Sequence, residues 1–237
     1  MTPSTSQHTS AEPEHASAPP AGEEAPEHYI GNSAFEKADS MFNIVMLGLT
    51  GTGKSASANT ILAAGNSRKH FKSKSSSMPV TTRCEAIIVK KLCGTRVRVV
   101  DTPDFLNDQL KDSQAQVEEC KRYCQPGRCV VLLVLQLGRF TDGERGILEK
   151  LEKKLDWKIR KRTIVLLTHK EDLEGSLAEY INANDGLKSI VDMCGNRIHL
   201  FNNSSNDTKQ VTELIEKIPN NESIFPKFPK ENQCCVC

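Results

Sequence analysis

Residues 48–55 read GLTGTGKS, between the apolar run FNIVML at 42–47 and the helix-forming stretch ASANTIL at 56–62. Three glycines, a lysine and a serine in so short a span are either a tight turn or a cradle for phosphate. The spacing G-x-x-x-x-G-K-[ST], with a strand before it and a helix after it, favours the cradle. Glycines let the chain curl until successive N–H groups point inward, and a helix beginning near Lys54 adds the positive end of its dipole. Lys54 is then expected to reach the β- and γ-phosphates of a purine nucleoside triphosphate, and the Ser55 hydroxyl to ligate Mg²⁺. Gly48, Leu49, Thr50, Gly51, Thr52, Gly53, Lys54, Ser55 and Ala56 form the candidate loop.

Working outward, strand-like apolar runs recur at 42–47, 84–92, 95–101, 129–135, 163–168 and 198–202. Helix-like stretches at 54–64, 109–124, 142–155, 177–193 and 208–218 alternate with them, with apolar residues returning every three or four positions, as in Ile147, Leu148, Leu151 and Leu155. This alternation predicts an α/β domain of the P-loop NTPase type: a mostly parallel central sheet with helices on both faces. The runs 84–92 and 95–101, joined only by Cys93-Gly94, read as an antiparallel hairpin at the sheet edge. Ligands of such sheets bind beyond the carboxyl ends of the strands. There the sequence places Asp101, in VVDTPDF, as a Walker-B type acid that would hold Mg²⁺ through water, and THKED at 168–172. A carboxylate at Asp172 is suited to accept from guanine N1–H and the exocyclic amine, a donor pair that adenine lacks.

Composition sets the boundaries. Residues 1–39 are rich in Pro, Ser, Ala and Glu with almost no large aliphatics, which predicts a disordered tail. Residues 40–219 form one domain, and 220–237 a short tail. A net charge of +1 gives no reason to expect a nucleic acid partner. No apolar run reaches the roughly 18 residues of a membrane span, and no secretory signal is visible, so a cytoplasmic start is expected. The nine cysteines are then expected to stay reduced, and Cys120, Cys124 and Cys129 lack the C-x-x-C pair and histidines of a zinc site.

Taken together, GLTGTGKSASANTIL, VVDTPDF, LQLGRFTDGE, LLTHKEDLEG and CGNRIHLFNN closely resemble the AIG1-type G domain of the GIMAP family, the GTPases of immunity-associated proteins, related to septin-like and chloroplast-import GTPases. LGRFT is the most specific element. The resemblance implies GTP or GDP with Mg²⁺ as cofactors. It implies Thr81 as the switch threonine near Mg²⁺, with Thr82 the alternative. It makes Ser55, Thr81 and Asp101 the metal-side set and Ser73 a further nucleotide contact. His169, Lys170, Glu171 and Asp172 match the base-reading element, His169 standing where asparagine is usual in G domains and arginine in this family. Asn203 is implied as the second guanine contact, with Asn202 the competing register.

Two departures bear on catalysis. Asp104 replaces the glycine usual after Asp-Thr-Pro, and its carboxylate would repel a γ-phosphate if it pointed inward; Phe105, Leu106 and Asn107 supply no glutamine to orient water. Slow intrinsic hydrolysis is expected. Arg139 is either a finger supplied in trans when two G domains, alike or related, meet across their nucleotide faces, or a structural arginine opening the next helix. Thr141 and Glu144 have the spacing of a capping box. The end, Cys234-Cys235-Val236-Cys237, parses as a C-a-a-X box, a Cys-x-Cys prenylation end, a palmitoylation cluster or unmodified thiols; lipidation would place the protein on the cytosolic face of an intracellular membrane. The leading function is a GTP-binding switch or scaffold, and the alternative a nucleotide-locked scaffold that polymerises on membranes with negligible turnover.

Overall fold

The computed structural model describes residues 41–74, 79–124 and 127–228. Six strands form one sheet: β1 (Phe42–Leu47), β2 (Glu85–Leu92), β3 (Thr95–Asp101), β4 (Cys129–Gln136), β5 (Thr163–Thr168) and β6 (Ile198–Phe201), in the order β2-β3-β1-β4-β5-β6. All pairings are parallel except β2 with β3. That hairpin turns through Cys93 and Gly94, both at positive φ, and carries a bulge between Val89 and Leu92. The mainly parallel α/β sheet with its edge hairpin matches the reading from hydrophobic pattern.

The helices are α1 (Lys54–Ala64), α2 (Ser113–Tyr123), α3 (Ile147–Leu155), α4 (Leu177–Asn182), α5 (Asp185–Met193), α6 (Lys209–Glu216) and α7 (Asn221–Ile224). Strand alternation divides the core into two layers. Val45, Leu47, Val131, Leu133, Leu135, Val165 and Leu167 face α2, α3 and α5, through side chains such as Val117, Leu151 and Ile190. Ile44, Met46, Leu132, Val134, Ile164 and Leu166 face α1 and α6, through Ile61, Leu62, Val211 and Leu214. β1 and β4 are buried along almost their whole length because both faces are covered. Phe225 joins the second layer, packed edge-on against Phe42 at 5.6 Å between ring centroids.

Three helices differ from expectation. The start of 142–155, residues 142–146, is a turn: the Glu144 carboxylate accepts from the Thr141 N–H at 2.8 Å and from its hydroxyl. The helix then starts at Ile147, after Gly146 at positive φ. The Thr141–Glu144 pair closes a turn and caps no helix. The stretch 177–193 is two helices, because the Asn184 side chain accepts from the Leu187 N–H (2.9 Å) and starts a new N-terminus. The stretch from 109 becomes helical only at Ser113, since Asn107 and Leu110 are held in successive turns. Among the described residues no helix is long and apolar enough to cross a membrane.

Candidate functional site

The strand order changes direction at β1, which lies between β3 and β4, and the loop 48–53 leaves β1 at that point. Its shape depends on glycine at two positions. Gly48 has φ +144°, and a Cβ there would stand 2.4 Å from the Val134 carbonyl oxygen. Gly53 has φ +95°, and its Cβ would meet Thr168 Cγ2 at 3.1 Å. Thr168, at the end of β5, donates to the Thr52 carbonyl (2.9 Å), and the Thr52 hydroxyl donates to the Leu49 carbonyl (3.0 Å). The loop is thus pinned to the ends of β4 and β5. Gly53 gives α1 no side-chain cap, and the first turn carries no acidic residue, so the helix N-terminus is open to an anion.

Lys54 is buried beneath this loop, its ammonium donating to the carbonyls of Gly48 (3.0 Å) and Leu49 (2.8 Å). Burial pushes its pKa down, against the pull of Asp101 and Asp104. Beside it, Asp101 Oδ2 accepts from the Ser55 hydroxyl at 2.5 Å and from the Thr81 hydroxyl at 3.1 Å, and those two hydroxyls lie 3.1 Å apart. Three oxygens from three elements therefore meet at one place. Asp101 Oδ1 is buried with no hydrogen-bond partner among the described residues. Burial raises the Asp101 pKa, opposed by the Ser55 bond, Lys54 and the Thr81 bond. An orphaned carboxylate oxygen next to two hydroxyls, all hard donors, suits a hydrated Mg²⁺.

The cleft over this cluster holds about 400 Å³. Of the residues expected from sequence, Thr50, Gly51, Gly53, Lys54, Ser55 and Ala56 line it, joined by Ser73, Thr81, His169 and Arg139. Asp101 lies behind Ser55 and Thr81, and Gly48, Leu49 and Thr52 form the back of the loop. It is Thr81 that reaches Ser55 and Asp101, in the register given first. His169 turns through a left-handed conformation, with Nδ1 3.2 Å from the Thr168 hydroxyl. Lys170, Glu171 and Asp172 follow it in an exposed 3₁₀ turn outside the cleft lining.

Asn203 is not brought to the cleft. Its side chain accepts from the Thr60 hydroxyl (2.8 Å) and donates to the Ser57 hydroxyl (3.0 Å) on α1. Asn202 is likewise engaged, accepting from the N–H groups of Ser204 and Ser205.

Arg139 opens no helix, since α3 begins only at Ile147. It sits in an exposed turn, and its Nη1 comes within 3.9 Å of where a Gly51 Cβ would be. The sequence reading missed Lys72, Lys74 and Gln136 as lining residues. For Lys72 and Lys74 the available signal was the basic spacing in FKSK before the switch threonine, and for Gln136 its place in LQLGRFT. The C-terminal cysteines Cys234, Cys235 and Cys237, and the tail 1–39, lie outside the described residues.

The chain is similar to mouse GTPase IMAP family member 8, 37% identical over 185 residues that make up 73% of this chain and 26% of that protein. It is also similar to the Arabidopsis thaliana immune-associated nucleotide-binding protein 9, 33% identical over 184 residues, 74% of this chain and 52% of that one. The chain thus spans about a quarter to a half of the length of these relatives. Its fold matches that of the chloroplast translocon components atToc33 and psToc159, with TM-score 0.55 at 17% identity over 79% of this chain and 86% of theirs. The model of the AIG1 family matches residues 42–224, nearly the whole described chain, and the protein belongs to that family.

Proposed function

We propose that the cleft binds a guanine nucleotide together with Mg²⁺ and that the chain acts as a nucleotide-dependent switch or scaffold with slow intrinsic hydrolysis. The observation that carries this reading is the convergence of Ser55, Thr81 and the orphaned Asp101 carboxylate beside buried Lys54 and an uncapped helix N-terminus. Ser55 and Thr81 would hold the metal directly and Asp101 through water; the ion supplies charge neutralisation at the phosphates. The N–H groups of the loop and of the first turn of α1 orient the phosphates. Gly53 N-terminal to Lys54 keeps that approach clear of side chains.

The choice of guanine rests on Asp172 in the turn after β5, beside His169, whose ring is available to lie along the base. The relatives are named as GTPases or nucleotide-binding proteins, which accords with this choice. For the chloroplast translocon components, dimerisation is described as important for GTPase activity. Arg139, exposed at the cleft rim, is the residue through which pairing of two nucleotide faces would act on the phosphates. Pairing between copies of this chain or with a related G domain uses the same surface.

Denaturing the purified protein and separating the released nucleotide by chromatography tests the class directly. GDP or GTP is expected, and recovered ATP would refute the base assignment. The alternative of a nucleotide-locked scaffold draws on Asp104, which lies inside the cleft, and on the absence of glutamine at Phe105, Leu106 and Asn107. Turnover per subunit that rises with protein concentration favours the switch; negligible turnover at every concentration favours the scaffold. A lipidated tail would bring either to the cytosolic face of an intracellular membrane. A single lipid gives only marginal residence, so two lipids, or one lipid together with another membrane contact, would be needed. Mass spectrometry showing three unmodified thiols in native protein would refute lipidation.

A further inference from the structure

Asp104 carries the chemistry that the cleft is built to receive. Its Oδ2 accepts from the Thr50 N–H at 2.8 Å and from the Thr50 hydroxyl at 3.1 Å, and its Oδ1 accepts from the Leu106 N–H at 3.0 Å. Both oxygens are therefore held, and two of the three donors belong to the phosphate loop. Thr50 and Asp104 line the same cleft as Lys54, Ser55 and Thr81. A carboxylate bound to the N–H of a phosphate loop is an anion already seated in an anion site. Asp104 is also close enough to pull the Lys54 pKa upward.

We propose that Asp104 is an internal competitor for the terminal phosphate, so that a diphosphate leaves the Asp104–Thr50 contact in place and a triphosphate binds only by displacing it. This inference rests on the nucleotide reading above. A diphosphate leaves the space over Thr50 to the carboxylate. A γ-phosphate brings negative charge toward Asp104 and needs the donors that it holds. Loading with triphosphate then requires residues 104–106 to withdraw from the loop. Because these residues lead through the turns at 107–112 into α2, the displacement is transmitted to that helix. The site as built accordingly discriminates by phosphate count, in favour of the diphosphate.

The test measures the affinities of the full-length protein for GDP and for the non-hydrolysable triphosphate GMPPNP, both with Mg²⁺, in wild type, Asp104→Asn and Asp104→Gly. Removing the charge is expected to improve GMPPNP affinity relative to GDP by ~10- to 100-fold, the equivalent of one charge-assisted hydrogen bond and its repulsion. The glycine variant should show the larger change. Asn preserves shape, so it carries the test if glycine compromises folding. A ratio that does not move while both nucleotides bind overturns this inference and leaves the nucleotide reading standing. If wild type binds neither nucleotide, both fall together.

Discussion

Lys54→Met is the perturbation that separates the nucleotide site from the fold most cleanly. Methionine keeps the length of the buried stem and removes only the ammonium. In the structure that ammonium is satisfied by two loop carbonyls, at 3.0 and 2.8 Å, and faces Asp101 and Asp104. Its lowered pKa means that burial outweighs the attraction of those two carboxylates, so the charged form is held at a net cost in the fold. Removing it takes a donor from two loop carbonyls but also relieves that cost, and the protein without ligand should lose roughly 1–3 kcal/mol. Nucleotide binding should respond differently. Charged hydrogen bonds to the β- and γ-phosphates contribute about 1.5–3 kcal/mol each, so losing two should weaken binding by roughly 10²- to 10⁴-fold. The assay pairs a fluorescent-nucleotide titration with thermal melts at several nucleotide concentrations. Wild type should gain Tm with ligand, and the variant should need roughly 10²- to 10⁴-fold more ligand for the same gain. A folded variant that keeps GTP affinity within about tenfold of wild type would refute the reasoning.

Asp172→Asn turns an acceptor into a donor and should shift preference from GTP toward XTP; competition with both nucleotides checks this, and an undiminished GTP preference would mean that the base is read elsewhere. Arg139→Ala should leave GTP affinity nearly intact while removing any turnover that depends on protein concentration, the pattern of a contact made mainly in the transition state; lost binding or a lowered Tm would return Arg139 to a structural role. His199 is buried, with Nε2 2.7 Å from the Gln210 carbonyl, and burial pushes its pKa from 6.5 down to about 4 against the effect of that bond. The unfolded chain therefore takes up the proton first as pH falls: His199 costs nothing above pH 6.5, and about 3 kcal/mol of stability is lost between pH 6.5 and 4. Urea unfolding of wild type and His199→Gln across that range should show stability falling by about 3 kcal/mol more in the former than in the latter.

The order of elements, the edge hairpin and the phosphate loop were legible in the sequence because each is written locally. Strands such as VVLLVL declare themselves as short unbroken apolar runs and helices such as ILEKLEKKL by period, and GLTGTGKS needs only its own glycines and the strand and helix on either side. Helix breaks were less legible, since the Asn184 cap and the Thr141–Glu144 turn depend on which of several side-chain bonds to the backbone forms. What the tertiary structure alone decided are contacts between segments far apart in the chain. Thr81 meets Ser55 and Asp101 only because β3 lies beside β1 and the segment before β2 returns over the loop. Asn203 has the residue type of a base contact, yet it turns to Ser57 and Thr60, because β6 ends within reach of α1. Asp104 reads in sequence as a departure from a motif, with its direction undetermined. It grips Thr50, 54 residues away, because β1 and β3 end side by side and leave the carboxylate facing unpaired donors. Periodicity fixes which face of an element is apolar; which polar group finds which donor depends on the distances that packing of the whole sheet imposes.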